Sequence, residues 1–133
     1  MDDRSTSTAI PLIIEPVHIQ RARLYPFPDL KRLWLRVDLS PFIQPPNLEV
    51  IVRDSEGRVA TSMYMVEWRE PRVSLTLHLR IPPQEGNRYV AELILTEKGE
   101  RVLDRKEVPF DLIFVEPDPE DLALSSTESF TTS

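Results

Sequence analysis

The sequence predicts an all-β fold, an antiparallel two-sheet sandwich of about seven to eight strands. Thirteen prolines are spread through the 133 residues, and because proline breaks the interior of a helix, long helices are hard to place. Hydrophobic residues recur at every second position, which is the period of a strand with one buried face. The three glycines fall between these runs, where turns are needed.

The first predicted strand contains a change of parity. Val17 and Ile19 alternate in one phase, whereas Ala22 and Leu24 alternate in the other. A continuous strand can bury both pairs only if it contains one extra residue. We therefore predict a β-bulge near Gln20-Arg21.

Four further runs show the strand period, and one segment does not. Residues 59–68 are rich in Val, Thr, Met, Tyr and Trp without a decisive inward face, so we predict an edge strand there. In the last strand Leu103 is out of phase with Phe110, and Pro109, which has no N–H for the ladder, marks the predicted break. The four regular runs are 33–39, 48–52, 73–81 and 89–95.

Glycine-containing turns predict two hairpins, one pairing 47–54 with 59–68 and the other pairing 88–96 with 100–108. In the second hairpin, a loop of three residues, Glu97-Lys98-Gly99, would place apolar residues opposite apolar residues on both faces of the strand pair. That loop places Leu93 opposite Leu103 and Ile94 opposite Val102.

In the first hairpin, the loop length decides which side chains of the edge strand point outward. A three-residue loop exposes Met63 and Met65. A four-residue loop exposes Tyr64 and Val66 instead. Both alternatives stay open.

Residues 86–93, Gly-Asn-Arg-Tyr-Val-Ala-Glu-Leu, precede a hairpin and a final strand. This arrangement resembles the region around the penultimate strand of immunoglobulin-like and fibronectin type III-like domains. The resemblance implies an immunoglobulin-like sandwich and, at Tyr89, a tyrosine corner whose hydroxyl bonds to nearby backbone. The disulfide of antibody domains is missing, since Ala91 stands at the place of the second cysteine. Trp34 lies in the second predicted strand, whereas the family's core tryptophan lies in the third.

Composition excludes several classes of function. The chain has no cysteine, which removes disulfides, thiolate metal sites and thiol nucleophiles. Its formal charge of −6 argues against a basic nucleic-acid footprint. No apolar run approaches the ~20 residues that cross a bilayer, and the polar, acidic start lacks the pattern of a secretory signal. We expect a cytoplasmic protein that uses no cofactor, nucleic acid or membrane.

Candidate catalytic or metal-binding residues are few. The two histidines, His18 and His78, alternate with apolar neighbours, so both are expected to point outward as ordinary surface residues. Glu67 and Glu70 flank Trp68-Arg69 and are expected in a charged turn. Neither pair has metal-ligand spacing. We therefore predict no enzyme, no catalytic residues and no metal.

Arginine outnumbers lysine 13 to 3, and several arginines would share one sheet if the first, second and fifth strands are neighbours. Such a face could hold an anionic ligand. Interspersed acids, including Asp38 and Glu70, favour a solvated face of mixed charge instead. The arginines concerned are Arg21, Arg23, Arg32, Arg36, Arg72 and Arg80.

Charge divides the chain into three parts. Residues 1–9 and 116–133 are polar ends that we expect to be disordered, and residues 10–115 form the predicted domain. The domain holds equal numbers of acidic and basic side chains, whereas 116–133 carries five acids and no base. That tail is expected to be a solubilising extension. Its alternative role is a docking motif built on Leu122, Leu124 and Phe130.

We predict a non-enzymatic module that binds protein, as a homodimer or within a larger complex, through the outer face of one sheet. In a fibronectin-like strand order that face is apolar, and exposed apolar patches often mark protein contacts. Its predicted members are Ile51, Ile94 and Val102, with either Met63 and Met65 or Tyr64 and Val66.

The alternative prediction is a module that binds carbohydrate or another ligand. In that case Trp34, Trp68 or Tyr64 would supply a stacking platform.

Overall fold

A computed structural model describes residues 16–98 and 101–123, and these form two antiparallel sheets. One sheet has the strand order β1-β2-β5 and the other β4-β3-β6-β7. The all-β, immunoglobulin-like sandwich is thereby confirmed, with strands one, two and five in one sheet. The strands are β1 (Ile19–Pro26), β2 (Arg32–Leu39), β3 (Asn47–Arg53), β4 (Val59–Met65), β5 (Arg72–His78), β6 (Arg88–Glu97) and β7 (Arg101–Asp111).

The inward side chains of both sheets form one hydrophobic core. Burying a leucine or valine side chain contributes about 1.5–3 kcal/mol each, so this layer is the main source of stability. The expected alternation is confirmed along β2, β3 and β6, where every second residue is buried. The fully buried members include Leu33, Leu35, Val37, Leu48, Val50, Val52, Leu93 and Leu95.

The bulge expected in β1 is confirmed. Ile19 is the partner of Leu39, and the register then shifts so that Arg21 is the partner of Asp38. Because Gln20 is the extra residue, both Ile19 and Leu24 are buried. The Ile19 amide donates to the Asp104 carboxylate on β7 at 2.7 Å, which links the two sheets at their edges.

The predicted register of the β6–β7 hairpin is wrong. Leu93 lies opposite Lys106, and Ile94 lies opposite Arg105. The predicted loop pairs residue 96 with residue 100 at the turn, whereas Glu97 lies opposite Arg101, and the register shifts by one further residue between Leu95 and Thr96.

The predicted break at Pro109 is also wrong, because the parity change takes place near Leu103. Leu95 pairs with Asp104 and Thr96 with Val102, which leaves Leu103 as the extra residue. Pro109 stays in the ladder opposite Val90. Since β7 is an edge strand, a residue without an N–H is tolerated there.

The turn between β3 and β4 is organised by Asp54. Its buried carboxylate accepts hydrogen bonds from the amides of Glu56 and Arg58, both at 2.9 Å. Gly57 supplies the left-handed conformation, with φ of 84°. The exposed side chains are those of the second alternative, since Tyr64 points outward and Met63 packs against the core. The loop is nevertheless the three-residue one, because the Asp54 amide donates to the Arg58 carbonyl at 2.9 Å, and a register shift between Val52 and Arg53 then exchanges the two faces of β4.

Tyr89 has the surroundings that the resemblance implies. It is fully buried, and its hydroxyl accepts a hydrogen bond from the Gln84 amide at 3.1 Å. Its ring stacks on Phe110 at 5.7 Å between centroids. Within the described ranges, no helix is long and apolar enough to span a membrane.

Candidate functional site

The outer face of the four-stranded sheet is interrupted by charge. Ile51 lies opposite Glu92, and Ile94 lies between Glu49 and Arg105. Only Val102 among the three predicted central residues is more than half exposed. The structure therefore alternates apolar and charged side chains where the sequence predicted a continuous apolar patch.

Glu92 is the centre of that charged pattern. Its carboxylate accepts hydrogen bonds from Arg53 on β3 at 3.1 Å and from Arg105 on β7 at 2.8 Å. These groups span three neighbouring strands. A partner that covered the face would have to desolvate all three charges, which is costly.

The edge strand β4 is different, because residues 59–66 contain neither a charged residue nor a proline. Tyr64 is 51% exposed and Val66 65% exposed, next to Met63 and Met65, which lie partly under the strand. One end of the strand is occupied, since the Ala60 carbonyl accepts the Arg80 amide at 2.8 Å. The rest of its outer edge has no strand beside it in the described sheets.

A cavity of about 350 Å³ adjoins this edge. Glu67 lies at its rim in the left-handed region, with φ of 51°. Its amide donates to the Asn47 side chain at 2.7 Å, which turns the chain away from the sheet after β4. The cavity is lined by Gln44, Pro45, Asn47, Tyr64, Val66, Glu67 and Lys98.

The six arginines predicted to share one face do not all converge. Arg23 and Arg36 are direct cross-strand partners on β1 and β2, and Arg21 lies two residues before Arg23 in the same regular ladder. Arg32 lies at the far end of β2, where it pairs with Asp29 at 3.1 Å. Arg80 follows β5 and contacts β4. Arg72 lies opposite Asp38 and is exposed.

The carboxylate of Asp121 lies on this arginine pair and is fully buried. It accepts hydrogen bonds from Arg23 Nε at 2.8 Å and Nη2 at 2.5 Å. Tyr25 donates its hydroxyl at 2.6 Å, and Arg36 Nε lies 3.9 Å away. The bonds from Arg23 lower the pKa of Asp121 to about 2, although burial opposes them. Asp121 is therefore a charged carboxylate near neutral pH.

Asp121 belongs to a helical turn at 119–123 that follows the last strand. Further out, Arg21 binds Asp118 at 2.9 Å and Glu120 at 3.2 Å. Residues 116–123 were expected to begin a disordered tail, and the structure instead places them on the sheet. Counting apolar surface missed this contact, because charged hydrogen bonds supply the anchor.

An aromatic cleft lies beside the anchored carboxylate. Tyr25 and Trp34 meet at 5.6 Å between ring centroids, and the Trp34 indole donates to Ser74 at 3.0 Å. The cleft has a volume of about 240 Å³. The sheet supplies Tyr25, Pro26, Phe27, Pro28 and Trp34 to its lining, and the following chain supplies Phe114, Pro117 and Leu122.

The other predicted residues do not form a common site. Trp34, Trp68 and Tyr64 do not share a platform, since Trp68 packs against the core and Tyr64 lies on the other sheet. His18 and His78 are exposed. Leu122 lines the aromatic cleft, whereas Leu124 and Phe130 of the predicted tail motif lie outside the described residues.

The remaining acidic candidates give no clear site. Glu67 and Glu70 are both exposed. Glu67 lies 3.9 Å from Arg69. Across residues 16–98 and 101–123, no group of three or more His, Asp or Glu side chains has the geometry to hold a metal ion.

Comparisons with known proteins identify similar folds only. No protein-family model matches this sequence, and no curated protein sequence matches it either. A glycosyl hydrolase family 2 member from Bacteroides cellulosilyticus superposes with a TM-score of 0.60 at 13% identity, over 73% of this chain and 14% of that chain. A Bifidobacterium dentium beta-glucuronidase gives a TM-score of 0.54 at 18% identity, over 78% and 19% respectively.

A putative beta-galactosidase from Bacteroides fragilis is similar at a TM-score of 0.53 and 17% identity, over 71% of this chain and 17% of that chain. The chain thus spans less than a fifth of each of these three hydrolases. At such low identity the likeness concerns the β-sandwich alone.

Proposed function

We propose that this chain is a non-catalytic β-sandwich module that associates with a second copy of itself through the open edge of β4. The observation that carries the proposal is the absence of charge and proline along residues 59–66. An exposed strand edge presents unpaired backbone N–H and C=O groups, and uncharged edges pair readily with another strand.

The other edges of the two sheets carry features that discourage pairing. β7 contains six charged residues, Pro109 and a bulge. β1 contains a bulge and two arginines that hold the acidic segment. β5, the fourth edge strand, is free of charge between Arg72 and His78, but its outward positions there are the polar Ser74 and Thr76. β4 is the described edge that combines an uncharged run with exposed apolar side chains, Tyr64 and Val66.

Charge does not oppose a second copy as the partner at this edge. The net charge of −6 is carried by residues 1–9 and 116–133, whereas residues 10–115 hold equal numbers of acidic and basic side chains. Two β4 strands paired in antiparallel fashion bring no like charges into contact. Exposed Tyr64 and Val66 from each copy would then be covered by the neighbouring strand.

Solution mass tests the proposal. Light scattering of the full chain over a concentration series is expected to show a dimer. Ser62→Lys introduces a charge at an exposed position in the middle of β4 and is expected to give a monomer of unchanged fold. A wild-type chain that stays monomeric at high concentration overturns the proposal.

A matched substitution on the opposite edge provides the control. Glu107 is exposed on β7, and Glu107→Lys, like Ser62→Lys, makes the local charge more positive. This variant should remain a dimer. If Glu107→Lys dissociates the dimer as fully as Ser62→Lys does, net charge is responsible and the assignment to β4 fails.

A second candidate, carbohydrate binding, is favoured by the aromatic cleft of Tyr25, Phe27 and Trp34. Aromatic faces stack on sugar rings, and the similar sandwiches occur in chains described as glycosyl hydrolases. Titration with glycans should quench Trp fluorescence in the wild type and fail to do so in Trp34→Ala. Unchanged quenching in that variant would exclude the cleft as the binding site.

A further inference from the structure

The face that holds Asp121 has the properties of a preformed receptor. Arg23 and Tyr25 project from β1, and Arg36 from β2, so the sheet register fixes their relative positions. Arg36 is fully buried and the Arg23 side chain is 9% exposed. Since strands rather than a loop carry these groups, their arrangement does not depend on the segment that they bind.

Recognition at this face has two parts. Arg23 and Tyr25 bind both oxygens of one carboxylate. On either side of Asp121 in the segment, Pro117 and Leu122 line the aromatic cleft together with Tyr25 and Trp34. The bound sequence is thus Pro-Asp-Pro-Glu-Asp-Leu, in which the last aspartate enters the arginine site, and the first proline and the leucine line the cleft.

The contacts on either side of Asp121 contribute less to holding the segment on the sheet. Arg21 binds Asp118 and Glu120 with side chains that are all well exposed, and ion pairs of that kind are weak. Asp121 is therefore the main attachment of the segment. The segment follows directly on β7, which ends at Asp111, so the chain's connectivity supplies it at a high effective concentration.

We propose that the face formed by Arg23, Tyr25, Arg36 and Trp34 is a recognition site for acidic, proline-containing peptide segments. In this structure residues 116–123 occupy it in cis and compete with any such segment in trans. This site lies on the sheet opposite β4 and does not depend on the proposed dimer.

Nuclear magnetic resonance of the full chain tests the site. The probe is a synthetic peptide with the sequence of residues 116–123, added to the Asp121→Asn variant labelled with ¹⁵N. The expected result is a saturable shift of the Trp34 indole N–H and Arg23 Nε–H signals. In the wild type the same peptide should shift these signals at least tenfold less, because the intact segment already fills the site.

A matched peptide distinguishes recognition from general charge attraction. A peptide in which asparagine replaces the aspartate equivalent to Asp121 keeps most of the negative charge and should bind at least tenfold more weakly. Equal shifts with both peptides, or no shift of the variant with the aspartate peptide, would overturn the proposal.

A second variant tests the proposal independently of whether Asp121→Asn folds correctly. Leu122→Ser weakens the contact of the segment with the cleft and leaves Asp121 in place. This variant is expected to bind the peptide with an affinity between those of the wild type and Asp121→Asn. If it behaves like the wild type while the Tyr89 signals show an intact fold, the competition model is wrong.

Discussion

Each sheet has on its outer face one carboxylate that holds two arginines, and the two carboxylates have different surroundings. Asp121 is buried with Arg23 and Arg36. Glu92 binds Arg53 and Arg105, whose side chains are 42% and 56% exposed. Distances are similar, at 2.5–2.8 Å for Arg23 and 2.8–3.1 Å for the pairs of Glu92.

The difference lies in what each carboxylate connects. Glu92 joins strands that backbone ladders already hold together. Asp121 joins the sheet to a segment that no strand ladder holds. A charged contact therefore decides where a segment lies only when no backbone ladder already holds that segment in place. Burial makes such a contact stronger.

The largest effect is expected from Asp121→Asn. Asparagine has nearly the same shape but cannot accept charge-assisted bonds from Arg23 and Tyr25 together. The docking free energy of residues 116–123 should fall by about 2–3 kcal/mol, by analogy with hydrogen bonds to charged groups. Amide exchange of residues 121 and 122 should accelerate by more than tenfold.

Global stability should change less than docking in this variant. Once the segment leaves, water can reach Arg23 and Arg36, so no charge remains buried without solvation. Exchange of the β3 and β6 amides is the internal control. Unaltered protection at residues 121 and 122 would show that Asp121 does not hold residues 116–123 on the sheet.

Acid should weaken the same contact. The pKa of Asp121 is lowered to about 2 in the folded chain, chiefly by the hydrogen bonds from Arg23. The usual value for an aspartate is about 3.9. A depressed pKa gives stabilisation that is complete above the unfolded value and is lost as the pH falls from about 4 to 2.

The corresponding free energy is about 2–3 kcal/mol, because each pKa unit corresponds to about 1.4 kcal/mol. Arg23 and Tyr25 donate the hydrogen bonds to this carboxylate, and the pKa of each is raised, further away from this acid range. Trp34 fluorescence followed from pH 5 to pH 2 should report a transition in the wild type. The same transition in Asp121→Asn would assign it to another group.

A smaller effect is expected from Tyr25→Phe. The change removes one hydroxyl donor at 2.6 Å and leaves both bonds from Arg23. Docking should weaken by about 1 kcal/mol, and the stacking on Trp34 should persist. Exchange at residues 121 and 122 measures the loss. A loss as large as that in Asp121→Asn would mean that Tyr25, rather than Arg23, carries the contact.

The features of the fold that depend on local periodicity could be predicted from the sequence. The bulge at Gln20 followed from the parity of Val17, Ile19, Ala22 and Leu24, and the alternation along β2, β3 and β6 followed from the two-residue period. The β6–β7 register was missed, because the hairpin closes at Glu97 and Arg101 and a second bulge near Leu103 shifts the pairing again, and neither feature changes the composition.

The candidate sites were harder to predict, because they depend on distant residues. Asp121 and Arg23 are 98 positions apart, and no periodicity connects them. Their signals in the sequence were an acidic segment after the last strand and outward-facing arginines on the first. Likewise, the ion pairs of Glu92 could not be read from the sequence, because they depend on the strand register that places Arg53 and Arg105 on either side of it.

The smallest effect is expected from Glu92→Gln. The substitution removes the charge from a network whose arginines remain hydrated, and exposed ion pairs contribute about 0–1 kcal/mol. The unfolding free energy measured in denaturant should therefore change by less than about 0.5 kcal/mol. Added salt should reduce that difference further, because it screens the exposed ion pairs of the wild type. A loss as large as that of docking in Asp121→Asn would show that the outer face of the four-stranded sheet depends on charge as strongly as the face that binds residues 116–123.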